Sequence, residues 1–209
     1  MSNDPTTMQM AEAERSDFLR LVEDLAPAQW EAPTLCGSWR VRDVVAHVLS
    51  YEDLSPTATA ALFLRGRLNF ARVNDLALRP FGAATPQELG DRLREHQRPR
   101  GLTSALGGRI ALADGMIHQQ DIRRPLQLPR AIPQPRVLRS LQIALRAPTL
   151  PSRRRAAHVR LVATDVDWSH GSGPEVRGAA EALLMVVAGR PAAASDCSGP
   201  GLPRLVGDE

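Results

Sequence analysis

The chain has 209 residues and is 43% hydrophobic, enough for one domain with a real core, or for one domain followed by a smaller second. All 26 basic residues are arginine. Set against 23 acids they leave a net charge of only +3, spread along the chain, which argues against a nucleic-acid binder. No apolar run of about 18 residues signals a transmembrane helix. No basic-then-apolar segment at the N-terminus signals a leader. The two cysteines, Cys36 and Cys197, are too distant in sequence to suggest a disulfide framework. The expectation is a cytoplasmic protein with no membrane or nucleic-acid partner.

In chain order, Phe18, Leu21, Val22 and Leu25 give helical spacing to a first helix over Met8 to Leu25, closed by Pro27. Trp30 to Trp39 is a connection whose two tryptophans read as anchors on the core. Within it, Cys36 reads as a small buried hydrophobe, although its place just before a helix start would favour a thiolate. Val41, Val44, Val45, Val48 and Leu49 form the apolar stripe of a second helix reaching about Asp53. His47 lies well off the centre of that stripe. Ser55-Pro56 starts a third helix, expected to run to about Leu78. Thr85-Pro86-Gln87-Glu88 is a capping box opening a short helix through Leu89 and Leu93.

The next helix is expected from about Thr103 to Arg123, and must stop there because Pro125 disfavours the α conformation before it. Gly107, Gly108 and Gly115 cost that helix stability and make sense if another backbone packs close. A further helix covers Arg136 to Arg146. Beyond Pro148-Thr149-Leu150-Pro151 and Arg153-Arg154-Arg155 the period changes to alternation: Val159 to Ala163 reads as a strand, Asp165 to Ser169 as its hairpin partner, and Gly178 to Ala188 as an apolar helix. The chain is therefore expected to be mainly α with a small α+β part. Helices occupy residues 1–147, residues 148–156 form a linker, and residues 157–209 form a small C-terminal α/β domain.

The chemistry concentrates on the helix ending at Arg123. Asp114, His118 and Asp121 stand at i, i+4 and i+7, on one face. Two carboxylates and an imidazole on one stripe are costly to bury without a partner, and a divalent metal is a partner that suits those ligand types. Asp114 and His118 would supply two ligands and His47 a third, leaving an open fourth position as in catalytic zinc sites. Asp121 either replaces Asp114 or pairs with Arg124 at i+3. In the second case its removal should spare metal binding. No strand-turn-helix elbow supports a Ser-His-Asp hydrolase around His170 and Ser172, and Gly171-Ser172-Gly173 lacks a phosphate-loop fingerprint.

Two stretches carry a resemblance. Trp30-x2-Pro33-Thr34-x-Cys36-x2-Trp39-x-Val41-x-Asp43-Val44-Val45-Ala46-His47, together with Asp114-x3-His118-Gln119-Gln120-Asp121-Ile122-Arg123-Arg124-Pro125-Leu126, resembles the mycothiol-dependent maleylpyruvate isomerase family of the DinB-like superfamily. The segment from Arg160 to Arg190 is similar to the C-terminal domain that often follows. The resemblance implies a DinB-like four-helix bundle with a divalent metal, usually zinc, on His47, Asp114 and His118, then a small α/β domain. Where this chain has Asp114 the isomerase carries Glu, longer by one methylene. The implied function is a metal-dependent enzyme using a low-molecular-weight thiol such as mycothiol. In it a metal-activated thiolate attacks a small-molecule electrophile, as an isomerase or an S-transferase. Arg123 and Arg190 are candidates for holding an acidic substrate or the thiol, against the plainer reading of structural ion pairs. The competing class is a non-enzymatic metal-binding or regulatory protein acting through a partner; monomer and homodimer both remain open.

Overall fold

The computed structural model describes residues 5–150 and 152–207, Ser152 by its backbone alone. Residues 1–4, on which the leader reading partly rests, and Pro151 of the expected linker lie outside the described residues. The chain divides into two compact units, one running through Pro129 and the other beginning at Arg130.

The first unit is helical: α1 (Thr7–Glu23), α2 (Val41–Leu49), α3 (Pro56–Arg65), α4 (Phe70–Leu78), α5 (Pro86–Glu95) and α6 (Ala105–Arg123). Among its described residues the only extended pairing is an isolated bridge between Pro33 and Arg40. Helix α1 starts where Thr6 and Gln9 form a reciprocal capping box, and Thr85 and Glu88 do the same for α5, as the sequence predicts. Helices α1 and α2 each pack on both α5 and α6. The four enclose one apolar core containing Phe18, Leu21 and Val22 of α1, Val41, Val44, Val45 and Val48 of α2, Leu89 and Leu93 of α5, and Ile122 of α6.

Two expected helices are revised. The third does not run from Ser55 to Leu78. It breaks at Arg67 and Leu68, both in the left-handed region (φ 55° and 56°), and folds back as the pair α3 and α4. Hydrogen bonds from Leu68 N to Phe63 O and from Asn69 N to Gly66 O close that turn, and Asn69 then caps α4 through Arg72 N. Helix α6 carries left-handed residues at Leu106, Gly107 and Gly108, so its regular part begins at Arg109. At Gly108 the expected close approach is real, because a Cβ there would lie 3.1 Å from the Cα of Met8. At Gly107 nothing lies within 4 Å, and at Gly115 the neighbour is only the Cγ of Glu14, at 3.5 Å.

A buried ion pair ties three segments of this unit together. Arg15 of α1 donates to Glu52 Oε1 at 2.7 Å, with side-chain exposures of 3% and 0%. The same carboxylate accepts from Arg100 N at 2.6 Å and Thr103 Oγ1 at 2.7 Å. This fixes the segment leading into α6. Gly101 is required in that segment: its φ is +52°, and a Cβ would run into the carbonyl oxygen of Tyr51.

The second unit holds α7 (Gln134–Ala144), α8 (Ser152–Arg155), β1 (Arg160–Ala163), β2 (Ser169–Gly171), β3 (Glu175–Gly178), α9 (Ala180–Val187), β4 (Cys197–Ser198) and α10 (Leu202–Val206). The sheet order is β2-β1-β3-β4, with β1 parallel to β3 and the other neighbours antiparallel. The partner of β1 in the expected hairpin is Ser169–Gly171, which shares only Ser169 with the Asp165 to Ser169 stretch read for it and pairs Leu161 with His170. Strand β3 was not expected; it hides between a glycine-rich turn and the buried helix α9. Helix α7 packs on α9, so the division falls at Pro129, ahead of the 148–156 linker read from the prolines. The arginine run itself is helical, and Arg155 donates to the carbonyls of Leu205 and Val206 of α10. No helix of the described residues is long and apolar enough to cross a membrane.

The Arg15–Glu52 pair yields a stability prediction. Glu52→Ala should destabilise the protein by about 3–5 kcal/mol, because it leaves Arg15 buried without its counter-charge. Adding Arg15→Leu should recover part of that loss. Denaturant midpoints of the two variants test this, and additive losses would refute it.

Candidate metal centre

The site lies between α2 and α6. On α2 the valine stripe faces the core, and this rotates His47 to the flank that meets α6. His47 is 7% exposed. On α6, Asp114 and His118 share a face one turn apart. The three side chains converge: His47 Nε2 lies 3.5 Å and His118 Nε2 3.4 Å from Asp114 Oδ1. One donor atom from each of the three lies within 4.8 Å of the others. The two imidazoles meet edge to face, their centroids 4.8 Å apart and their planes at 76°. Two imidazole nitrogens and a carboxylate oxygen, gathered this closely, are a donor set that suits zinc.

The 33–40 loop forms one wall. Thr34 organises it, donating from Oγ1 to Trp39 O at 2.8 Å and accepting from Cys36 N at 3.1 Å. Leu35 N donates to Asp121 O at 3.0 Å, tethering the loop to α6. Trp39 is thereby set with its ring centroid 4.8 Å from His47 and 6.1 Å from His118. Trp30 anchors the loop in the core, as expected, whereas half-buried Trp39 both packs on the core and covers the two histidines. On another side the ring of Tyr51 meets His47 edge-on at 6.0 Å, and its hydroxyl donates to Asn74 Oδ1 at 2.6 Å.

Asp121 has a partner that the sequence did not suggest. Its Oδ2 is 2.9 Å from Nδ1 of His118, and the residue is fully buried. Cys36, read as a plain small hydrophobe, hydrogen-bonds to His118. Cys36, His118 and Asp121 form a second set of possible ligand atoms within 4.8 Å of one another. Arg123 donates to Gln119 Oε1 at 3.2 Å and to Leu128 O at 3.3 Å, closing the turn after α6. Arg190 belongs to the second unit, where it donates to Ala188 O at 2.8 Å.

The electrostatics follow from this arrangement. Burial pushes the Asp114 carboxyl up, but the charges of His118 and then His47, with hydrogen bonds from both, outweigh it and hold Asp114 well below the ordinary carboxylate range. Burial pushes His118 down. The charge of Asp114 and hydrogen bonds to Asp114, Asp121 and Cys36 reverse this and raise it well above the ordinary histidine range. Burial, with the charge of Asp114, pushes the Tyr51 phenol up to about 12.

These shifts set a pH dependence for chelator-treated protein. The raised His118 contributes stability that is fully present below the ordinary histidine value of about 6.5 and is lost as pH rises through its folded value. The depressed Asp114 contributes stability that is present above about 3.9 and is lost as pH falls through its folded value. The Tm should therefore fall as pH rises from about 6.5 to 9, below the range in which tyrosine ionises. Replacing His118 by Gln should flatten that slope. An equal slope in the variant would count against the Asp114–His118 pair.

Residues 11–100 match the family described as the mycothiol maleylpyruvate isomerase N-terminal domain. No curated protein matches the sequence. Among solved structures, a crystal structure of the mycothiol-dependent maleylpyruvate isomerase is similar at 12% identity, covering 93% of this chain and 91% of that one, with a TM-score of 0.46. A single-residue mutant of that isomerase is similar at 11% identity with the same coverage and TM-score. The stretch that matches this family model contains the 33–40 loop and His47, and ends before Asp114 and His118.

Proposed function

We propose that this chain is a divalent-metal-dependent, thiol-using enzyme of the mycothiol-dependent isomerase or S-transferase type. The observation that carries the reading is the convergence of His47, Asp114 and His118 from two helices onto one point. His47 Nε2, Asp114 Oδ1 and His118 Nε2 would hold the metal, zinc by its preference for such donors. When bound, the metal supplies a lowered pKa for a thiol placed at its open position. The donor set suits that task in charge as well as shape. Two neutral imidazoles and one carboxylate carry a single negative charge, so a dication keeps one positive charge for an anionic sulfur. Trp39 and Tyr51 keep bulk water from two sides of the histidines. The reaction class is attack by the small thiol's sulfur on an electrophilic small molecule. Adding, rotating and releasing it isomerises a cis-alkene acid; retaining the new bond is S-transfer. The matched family supports the isomerase side.

A non-enzymatic metal site would be closed by a fourth protein ligand. The set gathered around Asp114 has three donors among the described residues, which favours the enzymatic reading.

Zinc titration against a chromophoric chelator, in wild type and His118→Ala, tests the proposal. Wild type should bind one equivalent. The variant should lose more than the about 10–100-fold that follows removal of an outer partner of a ligand. A small thiol should then bind zinc-loaded protein more tightly than chelated protein. Full zinc occupancy in His118→Ala, or thiol binding indifferent to zinc, would refute the reading. Chelation should leave the helical circular dichroism intact, because the core around α1, α2, α5 and α6 is apolar and independent of the site.

A further inference from the structure

His118 stands between two donor sets and presents a different ring nitrogen to each carboxylate: Nε2 to Asp114 at 3.4 Å, and Nδ1 to Asp121 at 2.9 Å. A neutral imidazole has one N–H and one lone pair, so which nitrogen carries the proton decides which set can hold a cation. We infer that Asp121 is the positioning residue that makes this choice: it accepts the Nδ1–H of His118 and so commits Nε2 to the metal shared with His47 and Asp114. The inference rests on the metal reading above and deepens it.

The argument is one of burial and exclusion. Asp121 is 0% exposed, so its carboxylate needs donors from the protein. With the proton on Nδ1, His118 donates to that carboxylate and turns its lone pair toward Asp114. The opposite tautomer would set a lone pair against a buried carboxylate 2.9 Å away and point an N–H at the metal position. A carboxylate on the far nitrogen also strengthens a histidine as a ligand. The main chain of the same residue adds to this. Asp121 O accepts from Leu35 N, holding the loop that lays Trp39 over His47. One residue thus orients one candidate ligand through its side chain and helps cover another through its backbone. The sequence expectation, in which Asp121 pairs with an arginine, has its removal leave metal binding mostly intact, so the two readings give different outcomes for Asp121→Ala.

The rival arrangement is direct ligation of the cation by Cys36, His118 Nδ1 and Asp121, leaving His47 and Asp114 aside. The two are separated by zinc affinity and by the Co2+ absorption spectrum of wild type, Asp121→Asn, Asp121→Ala and Cys36→Ser. Asparagine keeps an oxygen that accepts the Nδ1–H, so Asp121→Asn should lose less than about tenfold in zinc affinity, whereas Asp121→Ala should lose about 10–100-fold. Wild type and Cys36→Ser should give the same Co2+ spectrum, without a thiolate-to-cobalt charge-transfer band. The inference is overturned if Asp121→Ala binds zinc as tightly as wild type. It is equally overturned if Asp121→Asn loses zinc as completely as His118→Ala, or if wild type shows a thiolate band that Cys36→Ser abolishes, since the cation then sits on Cys36, His118 and Asp121. Should wild type bind neither metal, the metal reading itself fails, an outcome distinct from these. Asp121→Asn is nearly isosteric, so the comparison survives even if the alanine variant folds poorly.

Discussion

The Asp114 carboxylate is the constraint on which this site depends. It is 30% exposed on its side chain and lies between two nearly buried imidazoles, each reaching its Oδ1 through Nε2 at about hydrogen-bonding range. A carboxylate so placed is stable only with positive charge at that point. Protonated His118 supplies it when no cation is there, which is why Asp114 is held low and His118 high. A divalent cation supplies it equally, and the same three atoms that share a proton can share a metal. The same geometry serves proton sharing and would serve a metal, and competition between proton and cation for this point would couple metal affinity to pH.

The surroundings hold that arrangement in place. The valine stripe of α2 fixes the rotation of the helix and hence the flank on which His47 projects. The Arg15–Glu52 pair, with Arg100 N and Thr103 on the same carboxylate, fixes the chain entering α6. The left-handed residues at Leu106 to Gly108 let α6 start after a bend in which Gly108 comes close to Met8 of α1. The 33–40 loop is tied to α6 through Leu35 and Asp121. Each tie is a hydrogen bond, an ion pair or packing between protein groups.

How far the sequence showed this depends on the range of the interaction. Asp114 and His118 are one helical turn apart, so their common face could be read directly from spacing. His47 could be read only as a residue off its own stripe, because its approach to α6 is set by helix packing and has no periodic signature. Cys36 packs on the core as read, but its hydrogen bond to His118 spans 82 residues and has no signature in the sequence, whereas the Asp121–His118 contact is an i, i+3 spacing that the i+3 arginine overshadowed. The capping boxes at Thr6 and Thr85 are local and form in the structure, Thr85 as foreseen. The break at Arg67 and Leu68 follows Gly66, which caps α3, but apolar spacing resuming through Phe70, Val73 and Leu76 concealed that signal. Strand β3 is four residues long and pairs in parallel with β1, a non-local pairing that alternation alone does not reveal. The prolines around residue 148 mark a bend, but it is the packing of α7 on α9 that decides to which unit α7 belongs.

Asp114 also bears on how the site is tuned. Its short arm brings Oδ1 to 3.5 Å and 3.4 Å from the two imidazole nitrogens. An aspartate has one rotatable bond fewer than a glutamate, so the position of its oxygen is set more directly by the backbone of α6. Helix α6 in turn packs closely on α1, and a Cβ added at Gly115, next to Asp114, would meet Glu14 Cγ at 3.5 Å. Glu14 is buried and accepts at Oε1 from Gln119 at 2.7 Å, one turn further along the same helix. The α1–α6 contact thus flanks Asp114, and it holds the backbone of α6 from which that short side chain projects.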